Sequence, residues 1–336
     1  MRRLPLCALF ASACVQYSDP CFTPQSKVTD TRVLALAADP PEARIDPATG
    51  AGEPVSMRAL IADANGETPS SSVSWQLCVP DKDRPGCPDA TTVATVNGWT
   101  PQSTVQLVVP ASLLADAIAK DPLHGFGGIR VRAGLRVTGA VPAGASMDLI
   151  FSSATSAAPP NRAPSIAGLK AALYPEPPAP APFDDMHPFT MTVAMPQVIR
   201  PVLADGSLEE YDALDFSGSV VHVRERVRYS FYGTPALHVG HLDFTKRGGG
   251  GIVVYRGDDD YEADEPDPGS PDPRLGLMWV TPVARGGGPA TMWIVARDSR
   301  GGVAWQRVPV QALEENPNCQ GPPPRTGCSE IDFGCK

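Results

Sequence analysis

Apolar and polar positions along this chain change in short bursts. Val33-Leu34-Ala35-Leu36-Ala37 runs into the turn residues Asp39-Pro40-Pro41, and a second burst covers residues 55–62. From Ser72 to Cys78 the alternation is strict. Val73, Trp75 and Leu77 fall on one face, and Ser72, Ser74, Gln76 and Cys78 on the other. That two-residue period predicts a half-buried strand. Residues 104–109 and 129–137 continue the series, and 111–119 between them read as one short helix closed by Asp121-Pro122. Residues 157–164, with three prolines, read as a linker, because proline donates no ladder hydrogen bond.

A second run of strand patterns follows. Residues 188–193 lead to an expected long strand over 220–232. In it Val221, Val223, Val227, Tyr229 and Phe231 lie on one face, with His222, Arg224, Arg226 and Arg228 on the other. Residues 237–244, 252–255, 275–280, 290–296 and 303–310 complete the series, with Asp298-Ser299-Arg300-Gly301-Gly302 as a turn between the last two. The chain holds 38 Pro and 31 Gly among 336 residues, which argues against long helices. It suits short strands joined by tight turns.

The first of these regions resembles an immunoglobulin-like β-sandwich over about residues 28–155. The resemblance rests on the strand that ends in Asp39-Pro40-Pro41-Glu42, the strand Val55-Ser56-Met57-Arg58-Ala59-Leu60, and Trp75 some 20 residues later. It implies that Trp75 is the core tryptophan of the third strand. No cysteine pair bridges the two expected sheets, since Cys78 points away from the Trp75 face. The stretch from Trp293 to Trp305 resembles the last hairpin of bacterial Ig-like and cadherin-like domains. The expected fold is therefore all-β: two tandem Ig-like β-sandwich domains, a short helix in the first, and an irregular disulfide-held C-terminal tail.

The N-terminus changes the picture of where such a chain works. Arg2-Arg3 precede a short apolar stretch that ends in Ala11-Ser12-Ala13-Cys14. That order reads as a secretory signal peptide. The small residues before Cys14 resemble the lipobox of bacterial lipoproteins. The resemblance implies acylation of Cys14, a mature chain that starts there, and attachment to a membrane by lipid, as with palmitate. Expected boundaries are a signal peptide at 1–13, a tether at 14–30, a first sandwich at 31–156, the Pro-rich linker at 157–165, a second sandwich at 166–312 and a Cys-containing tail at 313–336. No stretch offers the roughly 20 uninterrupted apolar residues of a membrane-spanning helix.

Six cysteines remain after Cys7 and Cys14: Cys21, Cys78, Cys87, Cys319, Cys328 and Cys335. An even number in an exported chain reads as disulfides. Cys78 and Cys87 flank a turn-rich loop and form the first expected pair. A tail cysteine bonded to Cys21 would tie the two ends together. The spacings lack the short knuckle of a zinc site. Net charge is -9, and becomes -11 without Arg2 and Arg3, which disfavours nucleic acid as a partner.

Sites are sparse. Asp258, Asp259, Asp260, Glu262 and Asp264 supply oxygen ligands of the kind calcium prefers, though without an EF-hand arrangement; solvated loops carry such runs as well. His238, His241 and Asp243 offer too few ligands on one strand face for a tight metal site. Arg224, Arg226 and Arg228 form a basic stripe able to meet an anionic polymer. Trp99 and Trp305 are candidates for stacking on sugars or partners. No nucleophile elbow, zinc-protease motif or complete phosphate loop occurs, so no catalytic residue and no cofactor is assigned. The function expected is non-enzymatic: an exported protein, lipid-anchored to the cell envelope at the outer membrane, with a binding or scaffold role. Its expected partners are the membrane and an envelope protein or polysaccharide. A structural subunit of a surface assembly is the alternative, ahead of a secreted hydrolase.

Overall fold

The computed structural model describes residues 26–67, 71–81, 87, 90–123, 125–138, 143–153, 160–173, 179–181, 187–192, 197–215, 217–242, 255–256, 260–261, 278–282 and 288–313. Almost every element among them is a strand. The N-terminal part contains β1 (Arg32–Asp39), β2 (Glu42–Ile45), β3 (Val55–Asp63), β4 (Gly66–Glu67), β5 (Ser71–Cys78), β6 (Thr91–Trp99), β7 (Val105–Leu107), α1 (Ala111–Lys120), β8 (Ile129–Thr138) and β9 (Ala143–Ser153). One sheet places β3 between β1 and β7 and carries β4. The other runs β2-β9-β8-β5-β6. The chain changes sheet at Pro40-Pro41: β1 is antiparallel to β3, whereas β2 runs parallel to β9. Proline donates no ladder hydrogen bond, so the change falls where the ladder can be left.

The C-terminal part contains β10 (Ile166–Leu173), β11 (Ala179–Ala181), β12 (Phe189–Thr192), β13 (Gln197–Leu203), β14 (Glu210–Leu214), β15 (Val220–Arg224), β16 (Val227–Gly233), β17 (Leu237–Leu242), β18 (Tyr255–Arg256), β19 (Asp260–Tyr261), β20 (Met278–Pro282), β21 (Gly288–Asp298) and β22 (Val303–Leu313). One sheet runs β11-β10-β13-β20-β17-β18 and the other β12-β22-β21-β16-β19, with β14-β15 as a separate two-stranded ribbon. The second of these repeats the N-terminal plan. A short strand lies parallel to the last strand, β12 to β22, and the last two strands form an antiparallel hairpin. Both pairs of sheets therefore have the immunoglobulin-like arrangement, a likeness of backbone order that no repeated residue pattern announces.

Each pair of sheets closes over an apolar core. In the N-terminal pair, Trp75, Trp99, Phe151, Met57 and Leu135 are fully buried, and Leu114 and Ala117 seat α1 against them. The C-terminal pair encloses Phe231, Met191, Leu169, Met292 and Ile294. A third cluster belongs to neither pair alone. It joins Val28, Leu34, Ala35, Ala37, Leu60 and Ala62 to Trp293, Val295 and Val303. Within β1, β3 and β21, alternate residues thus enter two different cores, so the stretches 34–38, 59–62 and 292–296 read as unbroken apolar runs.

Several expectations change. The expected strand over 220–232 is two strands in different sheets, β15 and β16, interrupted at Glu225-Arg226. The break occurs because the Glu225 side chain turns inward and is buried. Residues 26–28, expected in the tether, bond to the end of β16 through Val28 N–H to Gly233 C=O at 2.9 Å and Gly233 N–H to Ser26 C=O at 2.8 Å. In the expected linker, Asn161 is buried.

Candidate functional site

The densest polar constellation among the described residues lies where the β21-β22 turn meets β2 and the 160–165 connection. The turn is shaped by Asp298. Its Oδ1 accepts the N–H groups of Arg300 at 2.8 Å and Gly302 at 2.7 Å, an Asx-type turn. Gly302 is required there. A Cβ at that position would lie 2.1 Å from Asp298 Oδ2 and 3.0 Å from Ala163 Cα. The tip rests on the N-terminal sheets, since a Cβ on Gly301 would be 3.6 Å from Ile150 Cδ1.

Arg300 stands at the centre, with a side chain 12% exposed. Its Nη2 donates to Glu42 Oε2 at 2.5 Å and its Nη1 to Glu209 Oε2 at 3.2 Å. Glu225 Oε1 lies 3.7 Å from Nη1, and its side chain is wholly buried. The guanidinium also covers the Tyr211 ring at 4.5 Å, a cation–π contact. Asn161 ties the connection in: its N–H donates to Glu42 Oε2 at 3.2 Å and its Nδ2 to both Asp298 oxygens at 3.3 Å. Arg162, on the outer side, approaches Glu209 at 3.7 Å.

Burial sets the protonation here. It pushes the Glu225 carboxyl up to about 7; the Asp298 and Glu209 charges add to this, against the Glu209 N–H and Arg300. Burial likewise raises Asp298, against the N–H groups of Gly302 and Arg300. Tyr211 is raised by burial against the pull of Arg300. Glu42, Glu209 and Arg300 form a charge-assisted network that spans both pairs of sheets. No group of three or more His, Cys, Asp or Glu among the described residues has a metal-holding arrangement. The chemistry of the cluster is that of a structural joint.

The expected site residues fare unevenly. Cys78 and Cys87 are bonded, with Sγ–Sγ 2.04 Å. Trp99 is not a surface platform: it is 1% exposed, donates from Nε1 to the Ala59 carbonyl at 3.3 Å, and packs 5.9 Å from Trp75. The β5-β6 ladder shifts register between Val96 and Trp99, with Gly98 at φ 69°, and this turns the ring inward. Trp305 is half-buried against the third cluster, with the Arg58 guanidinium 5.1 Å over its ring. Its face is engaged within the molecule. The arginine stripe is divided: Arg224 pairs with Glu210 at 3.8 Å on the ribbon, Arg226 lies between strands, and Arg228 is on β16. On the same ribbon, hydrogen bonds to the Asp212 and Glu210 carboxylates raise the pKa of exposed His222. Asp260 falls in β19. Cys14, Cys21, Cys319, Cys328, Cys335, Asp258, Asp259, Glu262 and Asp264 lie outside the described residues.

The Arg300 cluster was not foreseen. Its members are scattered from residue 42 to residue 300, and in sequence Arg300 reads as an ordinary turn residue. The one available signal was the even alternation failing at Glu225, between two apolar stretches.

No protein-family model matches the chain, and no curated protein matches it. Among solved structures, fibronectin(III)-like modules of Clostridium thermocellum CbhA are 11% identical, covering 87% of this chain and 93% of that one at a TM-score of 0.21. The two tandem V-type regions of VCBP3, a v-region-containing chitin binding protein, are 10% identical, covering 83% and 99% at a TM-score of 0.25. Red sea bream transglutaminase is 9% identical at a TM-score of 0.23, and the match spans 32% of that longer chain. The class of the protein rests on its own strand order: an all-β chain of immunoglobulin-like sandwich sheets.

Proposed function

We propose that this chain is an exported protein, anchored to the cell envelope by lipid on Cys14, that serves a non-enzymatic binding or scaffold role. Its two Ig-like units would hold recognition loops at the sandwich ends, where loops on a rigid frame commonly carry binding. The observation that carries the reading is the Cys78–Cys87 disulfide. Such bonds persist in oxidising compartments and are rare in the cytosol. That agrees with the signal-like start Arg2-Arg3 to Cys14. Among the described residues no helix is long and apolar enough to cross a membrane, so the proposed link is the acyl chain. An envelope protein or polysaccharide is the proposed partner, and the outer membrane the proposed location.

One observation favours the second reading, a subunit of a surface assembly. Strand β6 ends its sheet among the described residues, carries no charged side chain over Thr91–Trp99, and leaves Val93 43% exposed. Exposed edge strands of that composition add strands readily.

The test is intact mass and detergent partitioning of the protein from its host, beside C14A. The expected wild type starts at residue 14, carries acyl mass and enters the detergent phase, whereas C14A stays aqueous. Equal solubility without acyl mass overturns the anchor. Stoichiometric co-purifying chains would select the assembly reading.

A further inference from the structure

The charges at the joint do not balance. Glu42 from β2, Glu209 ahead of β14, Glu225 between β15 and β16, and Asp298 from the hairpin converge on the single buried guanidinium of Arg300. Arg162 of the connection is 84% exposed and reaches only Glu209. Arg297 faces elsewhere, donating to Ser230 Oγ at 2.6 Å and the Leu34 carbonyl at 3.2 Å. The Tyr211 ring contributes its face to Arg300. With every carboxyl ionised, four negative charges would meet one buried positive charge.

One oxygen in this set stands out. Glu225 Oε2 accepts the Glu209 N–H at 2.9 Å, but Glu225 Oε1 is buried and makes no hydrogen bond. An ionised oxygen in that position is unfavourable, whereas a neutral carboxyl tolerates it.

We propose that the joint is a proton-gated clasp: a proton held on Glu225 keeps Arg300 committed to Glu42, and its release loosens the N-terminal sheets from the hairpin tip. Ionised Glu225 competes with Glu42 for the guanidinium and repels Glu209 and Asp298. Glu42 is the N-terminal member of the cluster, and it also accepts the Asn161 N–H. Asn161 stays with the hairpin through Asp298, so β2 moving away with Glu42 frees that amide. The third apolar cluster has no carboxyl or histidine side chain, so the two parts stay in contact and the motion is a hinge about it.

The direction follows from Glu225. Its folded value, about 7, exceeds its ordinary 4.5. The cluster is thus most stable below the ordinary value, and that stability is lost as pH rises through about 7. A shift toward closure is expected in mildly acidic surroundings.

The experiment follows hydrogen exchange of the Asn161 amide in the full chain from pH 5.5 to 8.5, corrected for the intrinsic rate, in wild type and E225Q. Glutamine cannot lose a proton but keeps the acceptor for Glu209 N–H. Wild-type protection is expected to fall by about tenfold across pH 7 and to stay level in E225Q. Level protection in wild type, or the same fall in both proteins, overturns the proposal. If E225Q does not fold, carbon-13 NMR of the wild-type glutamate carboxyls decides. One carboxyl titrating near 7 supports the clasp, and all of them titrating in the ordinary range overturns it.

Discussion

Among the described residues two side-chain clusters join the N-terminal and C-terminal sheets, and they are built on opposite principles. One is the apolar cluster of Leu34, Leu60, Trp293 and Val295. The other is the polar cluster around Arg300. Apolar burial is non-directional and does not depend on pH. A buried charge network is directional, but desolvation offsets much of its attraction. The apolar joint therefore supplies cohesion. The polar joint adds orientation, because Arg300, Asn161 and Glu42 can satisfy one another in few arrangements. Together they make the connection between the sandwiches a packed interface rather than a loose linker.

The comparison breaks most visibly at Trp293. Trp293→Ala should remove about 3–5 kcal/mol of stability, since it empties a large side chain from a site 0% exposed. Equilibrium urea unfolding measures this, and the loss should be the same at pH 5.5 and pH 8. Its indole N–H has no hydrogen-bond partner, so no polar contact adds to the loss.

Arg300→Met attacks the other joint. It leaves Glu42, Glu209, Glu225 and Asp298 without their buried cation. A loss on the order of 3 kcal/mol is expected at pH 8, the lower end for breaking a buried pair. The loss should shrink toward pH 5. There Glu225, raised by burial to about 7, binds a proton in the folded state and needs the guanidinium less. Thermal unfolding at the two pH values checks the sign. A pH-independent loss would show that the carboxyls of this cluster are not titrating together.

The smallest effect belongs to the rim of the apolar joint. Arg58→Ala uncovers the Trp305 ring, now 5.1 Å below the guanidinium. It should cost about 0.5–1 kcal/mol, the range for a partly exposed cation–π contact. Trp305 fluorescence should report the uncovering through greater quenching by iodide, in a variant that keeps the other tryptophans unchanged.

How far these features could be read in advance depended on the range of the interaction. The strand at Ser71–Cys78 and its core residue Trp75 were legible because alternation is local. The Cys78–Cys87 bond was legible because its loop is short. Trp99 was misread as a surface platform: its neighbours Asn97 and Gly98 look like a turn, and only the register shift of the β5-β6 ladder there turns the ring inside. Trp305 was misread because its cover, Arg58, is far away in the chain. Arginines 224, 226 and 228 looked like one stripe because their own spacing of two runs past Glu225, the position where the apolar face is interrupted and the strand stops.

By itself the sequence determined the material of this protein: short strands, tight turns rich in proline and glycine, a start resembling an export signal, and one local disulfide. These depend on neighbours within a few residues, and local sterics and periodicity dictate them. Tertiary structure alone decided that β1, β3 and β21 are buried on both faces, and that Glu42, Asn161, Glu209, Glu225, Asp298 and Arg300 meet. Burial and charge pairing are set by whatever packs across from a residue. Nothing in an apolar run names the sheet that will cover its second face, and nothing in a turn names the carboxylates that will surround its arginine.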